Sequence, residues 1–143
     1  MTKDLSPRLA AIVEALPLRP GLRVLEIGCG PGAAARAIAS RIGNGHVLGI
    51  DRSAKAINQA KAASRNEIAG GRLSFRRVAV EDFELKSDEA PYDLAFAVRV
   101  GALDGRHPAI AGLARQRIAA ALTPNGRLFI DGGRPLRNIK LKM

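Results

Sequence analysis

The sequence predicts an α/β fold, a doubly wound parallel sheet of five strands with helices on both faces. Short apolar runs rich in aliphatic and β-branched residues alternate with segments of helical spacing along the chain. A glycine-rich turn joins the first apolar run directly to a helical segment. Strands that alternate with helices form a parallel sheet with right-handed crossovers, whose ligands bind at the carboxyl ends of the strands.

The chain begins with a helix predicted over residues 5–16, where leucine, isoleucine and valine recur at helical spacing. Ser6 and Pro7 suit the N-cap and the first helical position. Residues 17–21, with two prolines and a glycine, end this helix. The first strand is predicted over residues 23–27, followed by the glycine-rich turn.

The later elements follow from the same two periodicities. Helices are predicted over residues 33–42, 54–68 and 108–122, and strands over residues 46–51, 72–80, 92–98 and 127–131. Residues 123–126, Thr-Pro-Asn-Gly, predict a tight turn before the fifth strand. With 143 residues, we expect one domain over 1–143, with an N-terminal helix and turn at 1–20 and a basic tail at 133–143.

The composition limits the classes of partner. The formal net charge is +10, with 23 Lys and Arg against 13 Asp and Glu, which leaves a nucleic-acid partner open. The basic residues are spread along the whole chain, as expected for solvated faces. Aromatic residues make up only 3%, which argues against a stacking platform for single-stranded nucleic acid.

A single cysteine, Cys29, excludes an internal disulfide and fits a reducing compartment, so we expect a cytoplasmic protein. We interpret Cys29 as a small residue that fits the glycine-rich turn, not as a nucleophile. No apolar run approaches the ~20 residues that span a bilayer, so no membrane contact is expected. No Cys/His cluster suits a metal ion, and none is expected.

The turn itself, residues 24–32, reads Val-Leu-Glu-Ile-Gly-Cys-Gly-Pro-Gly. Gly28, Gly30 and Ala33 formally match the dinucleotide fingerprint G-x-G-x-x-G/A. However, Glu26 stands two places before the first glycine, where a dinucleotide site normally has an apolar residue. The stretch more closely resembles the first motif of class I S-adenosylmethionine-dependent methyltransferases, which have a Rossmann-like fold.

Further motifs extend this resemblance over residues 20–132. Asp51 ends the second predicted strand ~20 residues after the turn, where an acidic residue accepts from ribose hydroxyls; Ser53 can cap the next helix instead. Asp82 and Phe83 match the places that contact adenine, and the glycine loop holds the methionine part. The resemblance implies cofactor contacts by Glu26, Gly28, Cys29, Gly30, Gly32, Asp51, Arg52, Glu81, Asp82, Phe83 and Val98. We therefore expect Glu26, Asp51 and Asp82 to share one cavity, with Glu26 near the ammonium group.

The chain departs from the family pattern at its end. Members usually continue with two more strands, including an antiparallel seventh inserted between the fifth and the sixth. Only 11 residues follow Gly132, too few for that extension with its helix. We therefore expect a truncated core whose fifth strand is an open edge, and a homodimer or partner protein that covers this edge.

The resemblance implies methyl transfer from S-adenosylmethionine to an unidentified acceptor. The Asn/Asp-Pro-Pro-aromatic motif of amino-group and nucleic-acid methyltransferases is absent after the fourth strand, where residues 99–104 read Arg-Val-Gly-Ala-Leu-Asp. This favours a small-molecule acceptor, with His107 as a candidate general base. Alternatives are an RNA or DNA methyltransferase, a non-catalytic cofactor-binding subunit that needs a partner, and an NAD(P)-dependent protein.

Overall fold

A computed structural model describes residues 5–141, which form one six-stranded sheet in the order β3-β2-β1-β4-β5-β6. Its strands are β1 Arg23–Ile27, β2 His46–Asp51, β3 Leu73–Arg77, β4 Tyr92–Ala97, β5 Leu122–Asp131 and β6 Leu136–Ile139. Its helices are α1 Pro7–Ala15, α2 Ala33–Ala39, α3 Ala54–Ala63, α4 Arg65–Ala69 and α5 Pro108–Ala121, with a 3₁₀ turn at Val80–Asp82. The ends of the predicted domain, residues 1–4 and 142–143, lie outside the described residues.

The predicted doubly wound α/β architecture is confirmed, and the site follows from its strand order. β1 pairs in parallel with both β2 and β4, so that Glu26 lies opposite Gly49 on one side and Phe96 on the other. The strand order reverses at this point, since β2 and β3 continue to one side and β4 and β5 to the other. Ligands of open α/β sheets bind beside such a reversal, at the carboxyl ends of the strands.

Two apolar layers cover the two faces of the sheet. On one face α1, α2 and α3 pack against the sheet, with Ile38 of α2 and Val24 of β1 both fully buried. On the other face α5 and the 3₁₀ turn do so, with Ile118 of α5 and Leu25 of β1 fully buried. Successive residues of β1 therefore contribute to opposite layers, as the pleat of a strand requires.

The prediction of five strands is wrong, because residues 136–139 of the expected basic tail form β6. This strand pairs antiparallel with β5, with Leu128 opposite Ile139 and Asp131 opposite Leu136. The chain can return so tightly because residue 133 is glycine: a Cβ there would lie 2.2 Å from the carbonyl oxygen of Leu136. The fifth strand is thus not an open edge, and the reason for a homodimer through it disappears.

Several element ends also differ from the predicted ones. The helix expected over 54–68 divides at Ser64, which is fully buried and accepts a hydrogen bond from Nη1 of Arg36 at 3.1 Å. The expected turn at 123–126 is part of β5, where the pairing with β4 shifts register between Tyr92 and Leu94. At α1, the predicted cap is present, since Oγ of Ser6 accepts from the Leu9 N–H at 3.2 Å.

Within residues 5–141, none of the helices combines the length and apolar character needed to cross a membrane.

Candidate functional site

The glycine-rich turn lies against the carboxyl end of β2. The N–H groups of Gly28 and Cys29 both donate to the carbonyl oxygen of Ile50, at 2.8 and 2.9 Å. Gly28, Gly30 and Gly32 have φ angles of 71°, 54° and 89°, a region that side chains rarely adopt. The turn is therefore fixed by backbone bonds to a neighbouring strand, and its conformation depends on glycine.

The three glycines meet different surroundings. A Cβ at Gly30 would have no heavy atom within 4 Å, so the backbone there faces open space. A Cβ at Gly32 would lie 2.9 Å from Cζ of Phe75, so this glycine allows α2 to pack closely on β3. A Cβ at Gly28 would lie 2.8 Å from Cγ2 of Val100. Gly30 thus leaves room for a ligand, Gly32 serves packing, and Gly28 lies beneath the loop after β4.

Asp51 connects β2 to this turn. Its Oδ2 accepts a hydrogen bond from the Gly30 N–H at 3.0 Å, and its Oδ1 accepts from the Ser53 N–H at 2.9 Å. Ser53 caps α3 as predicted, because its Oγ accepts from the Ala56 N–H at 3.1 Å. A carboxylate has about four lone-pair sites, so Asp51 retains capacity for further donors.

Glu26 is a buried carboxyl group in the centre of the sheet, with 5% of its surface exposed. Its Oε1 has no hydrogen-bond partner in the part of the chain that the structure describes. Burial raises the pKa of Glu26, the nearby charge of Asp51 acts in the same direction and the guanidinium of Arg36 opposes both, with a resulting pKa of about 8. Glu26 is therefore an acid held largely uncharged near neutral pH.

Cys29 lies in the turn with 6% of its surface exposed. Burial raises the pKa of its thiol well above the ordinary value, and the charges of Glu26 and Asp51 act in the same direction. Because the thiolate is the nucleophilic form, this environment leaves Cys29 unreactive.

A cavity of about 310 Å³ opens beside the turn, at the carboxyl ends of β1, β2 and β4. This volume is at the small end of the range for ligand pockets, about 300–1,000 Å³. Of the residues predicted from sequence, the cavity is lined by Gly28, Asp51, Arg52, Glu81, Val98 and the candidate base His107.

The expectation that Glu26, Asp51 and Asp82 share one cavity is wrong for two of the three. Glu26 does not line the cavity, because strand alternation directs it to the opposite face from its neighbour Ile27, which does. Asp82 is exposed at the end of the 3₁₀ turn, and Glu81 lines the cavity in its place. Only Asp51 occupies the expected position.

Phe83 does not reach the cavity either. Its ring is 1% exposed within the layer beneath α5, and the Arg76 guanidinium lies 5.5 Å from the ring centroid. Cys29, Gly30 and Gly32 also lie outside the cavity lining, so their part is to shape the turn.

The loop after β4 forms a further wall of the cavity. Val100, Gly101, Ala102 and Arg106 line the cavity. His107 lies directly against Gly101, since a Cβ at residue 101 would be 2.3 Å from Cδ2 of the imidazole. His107 also stands at the N-cap position of α5, where its side chain makes no capping bond. The sequence predicted only a loop here. Hydrophobic periodicity reveals helices and strands, but it does not show which loop residues pack against a turn that is distant in the chain.

Sequence comparison identifies relatives of this architecture. The sequence profile of the family described as "Methyltransferase domain" matches residues 18–140. A ubiquinone biosynthesis O-methyltransferase of Bradyrhizobium diazoefficiens is 33% identical over 120 residues, which is 83% of this chain and 43% of the relative. A trans-aconitate 2-methyltransferase of Streptomyces avermitilis is 37% identical over 86 residues, which is 60% of this chain and 30% of the relative.

A solved structure shows the same fold. The S-adenosylmethionine-dependent methyltransferase of Thiobacillus denitrificans, in complex with S-adenosylhomocysteine, superimposes with a TM-score of 0.67 at 26% identity. The match covers 91% of this chain and 50% of that one. The chain spans 30% to 56% of the length of the curated relatives that it matches. By fold, turn and sequence profile, the chain belongs to the methyltransferase domain family.

Proposed function

We propose that the protein binds S-adenosylmethionine beside the glycine-rich turn and transfers its methyl group to a small molecule. The observation that carries this proposal is the bond between Asp51 and the Gly30 N–H, which fixes a carboxylate of the cavity wall next to an open stretch of backbone. Relatives named as O-methyltransferases and a structural neighbour in complex with S-adenosylhomocysteine support it.

Three features of the site fit this cofactor. Glu26 offers a buried carboxyl oxygen without a partner among residues 5–141, which suits an ammonium group reached through water or backbone. The backbone of Gly30 faces open space. Asp51 lies at the end of β2 and can accept bonds from ribose hydroxyls.

The remaining residues have narrower proposed roles. Glu81 lines the cavity from the 3₁₀ turn and is the better placed of the two neighbouring carboxylates to accept from an adenine amino group, with Asp82 at the rim. Arg52, Val98 and Gly28 complete the wall. Cys29 and Gly32 hold the shape of the turn.

S-adenosylmethionine, when bound, supplies an electrophilic methyl group for direct displacement. The chain's own task is then to hold an acceptor in line and to remove its proton. His107 lines the cavity and makes no capping bond, so a ring nitrogen is available to accept the proton of an acceptor hydroxyl. We propose His107 as this general base.

A thermal-shift assay with S-adenosylmethionine, S-adenosylhomocysteine, NAD and NADP tests the cofactor. A ligand at 100 times its Kd adds about 2.7 kcal/mol to stability, which gives a clear rise in Tm. We expect a rise with the first two ligands only, lost in Asp51→Ala and kept in the control Asp88→Ala, an exposed loop carboxylate. A rise with NAD alone, or an unchanged response of Asp51→Ala, contradicts the proposal.

One alternative has a specific observation behind it. The net charge of +10 favours a nucleic-acid substrate, for which oligonucleotide binding should weaken steeply with salt. The alternative of a cofactor-binding subunit without activity of its own predicts that S-adenosylhomocysteine binds while methyl transfer is absent. The single buried cysteine supports a cytoplasmic location as part of the proposal.

A further inference from the structure

We propose that the methyl acceptor carries a carboxylate group and that Arg99 binds it. This inference rests on the proposed function, since it concerns the acceptor side of the same cavity. It arises from the loop between β4 and α5, residues 98–107, which contributes Arg99, Arg106 and His107 to the cavity wall.

Arg99 has a backbone conformation that needs an explanation. Its φ is 56°, and within residues 5–141 no other non-glycine residue has a positive φ. Such a conformation is strained for a residue with a side chain, persists only where the surroundings impose it, and concentrates at functional sites. Here the Arg99 N–H donates to Oδ1 of Asp131 at 3.1 Å, and the Arg99 carbonyl accepts from Nη2 of Arg106 at 2.7 Å. The backbone of Arg99 is therefore held from both sides.

Backbone hydrogen bonds hold the loop that carries Arg99. The N–H groups of Leu103 and Asp104 both donate to the carbonyl of Val100, at 2.9 and 3.0 Å. The His107 N–H donates to the carbonyl of Gly101 at 3.1 Å. A binding group on a preorganised loop loses less conformational entropy when its ligand arrives.

The guanidinium of Arg99 has no hydrogen-bond or ion-pair partner in the described chain, in contrast to its neighbours. Nε of Arg106 bonds both carboxylate oxygens of Asp104, at 3.0 and 2.9 Å. Asp131 pairs with Nη2 of Arg8 at 2.6 Å. Within the loop, the charge of Arg106 is therefore compensated by Asp104, whereas the charge of Arg99 is available to a ligand in the cavity.

Charge is distributed unevenly around the cavity. The acidic residues Asp51 and Glu81 come from the end of β2 and from the 3₁₀ turn after β3, whereas Arg99 and Arg106 come from the loop after β4. Arg52 is the exception, a cation on the acidic side without a side-chain bond among residues 5–141. An acceptor with an anionic end would therefore be oriented toward the loop.

A carboxylate fits this site better than a phosphate. A single free guanidinium matches a monoanion through two parallel hydrogen bonds, whereas a phosphate dianion calls for a second free cation. Arg106 is not free to provide it, because Asp104 occupies it, and Arg52 lies on the acidic side of the cavity, next to Asp51. Val98, Val100 and Ala102 beside Arg99 suit an apolar body attached to the carboxylate.

The test measures binding by calorimetry to the protein saturated with S-adenosylhomocysteine. The probes are 4-hydroxybenzoate and hexanoate, each compared with its neutral amide, together with phenyl phosphate. We expect at least one carboxylate to bind about tenfold or more tightly than its amide, because a hydrogen bond to a charged group is stronger than one between neutral groups. Phenyl phosphate should bind more weakly than that carboxylate.

Arg99→Asn removes the charge and tolerates a positive φ, and it should abolish the preference for the carboxylate. Arg115→Gln, at an exposed arginine of α5 that does not line the cavity, should keep that preference. S-adenosylhomocysteine affinity and Tm measured on both variants separate a local effect from unfolding.

The outcomes distinguish the two proposals. If S-adenosylhomocysteine fails to bind the natural protein, the proposed function is wrong and the acceptor inference is wrong with it. If S-adenosylhomocysteine binds but neither carboxylate exceeds its amide, only the acceptor inference is overturned. Tighter binding of phenyl phosphate, or a preference that survives in a folded Arg99→Asn variant, overturns it as well.

Discussion

Replacing Glu26 by glutamine should change how the stability of the protein depends on pH. Glu26 lies in β1 with 5% of its surface exposed, and burial raises its pKa from 4.5 to about 8. The unfolded chain has an ordinary glutamate at this position. Between these two pKa values the folded state binds a proton that the unfolded state has released, so rising pH favours unfolding.

The magnitude follows from the two pKa values. Each pH unit between them costs up to about 1.4 kcal/mol of unfolding free energy. With a folded pKa of about 8, the natural protein loses about 3.5 kcal/mol through Glu26 between pH 5 and pH 8. Glutamine has nearly the same shape and cannot ionise, so Glu26→Gln should not show this loss.

Urea denaturation of both proteins without ligand, at several pH values from 5 to 8, measures this difference. The stability of Glu26→Gln relative to the natural protein should rise by about 3.5 kcal/mol over that range. Any effect of the amide on packing adds the same offset at every pH, so the slope is the readout. Glu67→Gln, in α4, is the control and should follow the natural protein. A parallel pH dependence of Glu26→Gln and the natural protein would refute the reasoning.

Two further predictions concern the same turn. If Glu26 ionises when the ammonium group of S-adenosylhomocysteine arrives, binding at pH 7 should release about 0.9 proton, measured by calorimetry in buffers of different ionisation enthalpy. Glu26→Gln should release none, and equal release from both proteins would contradict its role. As a reference for backbone strain outside the turn, Gly71→Ala should lower the free energy of unfolding by about 1–2 kcal/mol through its positive φ alone. Gly32→Ala should lower the free energy of unfolding by about 1–3 kcal/mol more than Gly71→Ala, because the new methyl group would contact Phe75. Equal losses in the two variants would exclude that packing role of Gly32.

Local pattern was sufficient for most of the fold and for part of the site. The alternation of apolar runs and helical segments predicted five strands and their parallel order, because the periodicity of helices and strands is visible among residues close together in the sequence. The glycine-rich turn and Asp51 were found for a similar reason, since a tight turn needs glycine in sequence. Ser53 was assigned the helix cap correctly, because capping acts within three residues.

Which carboxylate faces the cavity could not be derived in the same way. The sequence offers Glu81 and Asp82 side by side, and only the path of the 3₁₀ turn directs Glu81 inward and Asp82 to solvent. Glu26 points to the face of the sheet opposite Ile27 and the cavity. Which of two successive strand residues faces the cavity depends on the alternation of side chains along the strand, and the family resemblance did not supply this.

By itself, the sequence determined an α/β sheet with a glycine-rich turn after its first strand, because these features depend on residues close together in the chain. The tertiary structure decided that residues 136–139 form a sixth strand, since four residues without a strong pattern become a strand only beside the free edge of β5. It also decided that the Arg99 guanidinium, without a partner among residues 5–141, stands at the cavity, where Asp131 holds its backbone from 32 residues away. Strand pairing and cavity walls are contacts between distant segments, and their free energy exists only once the chain has folded.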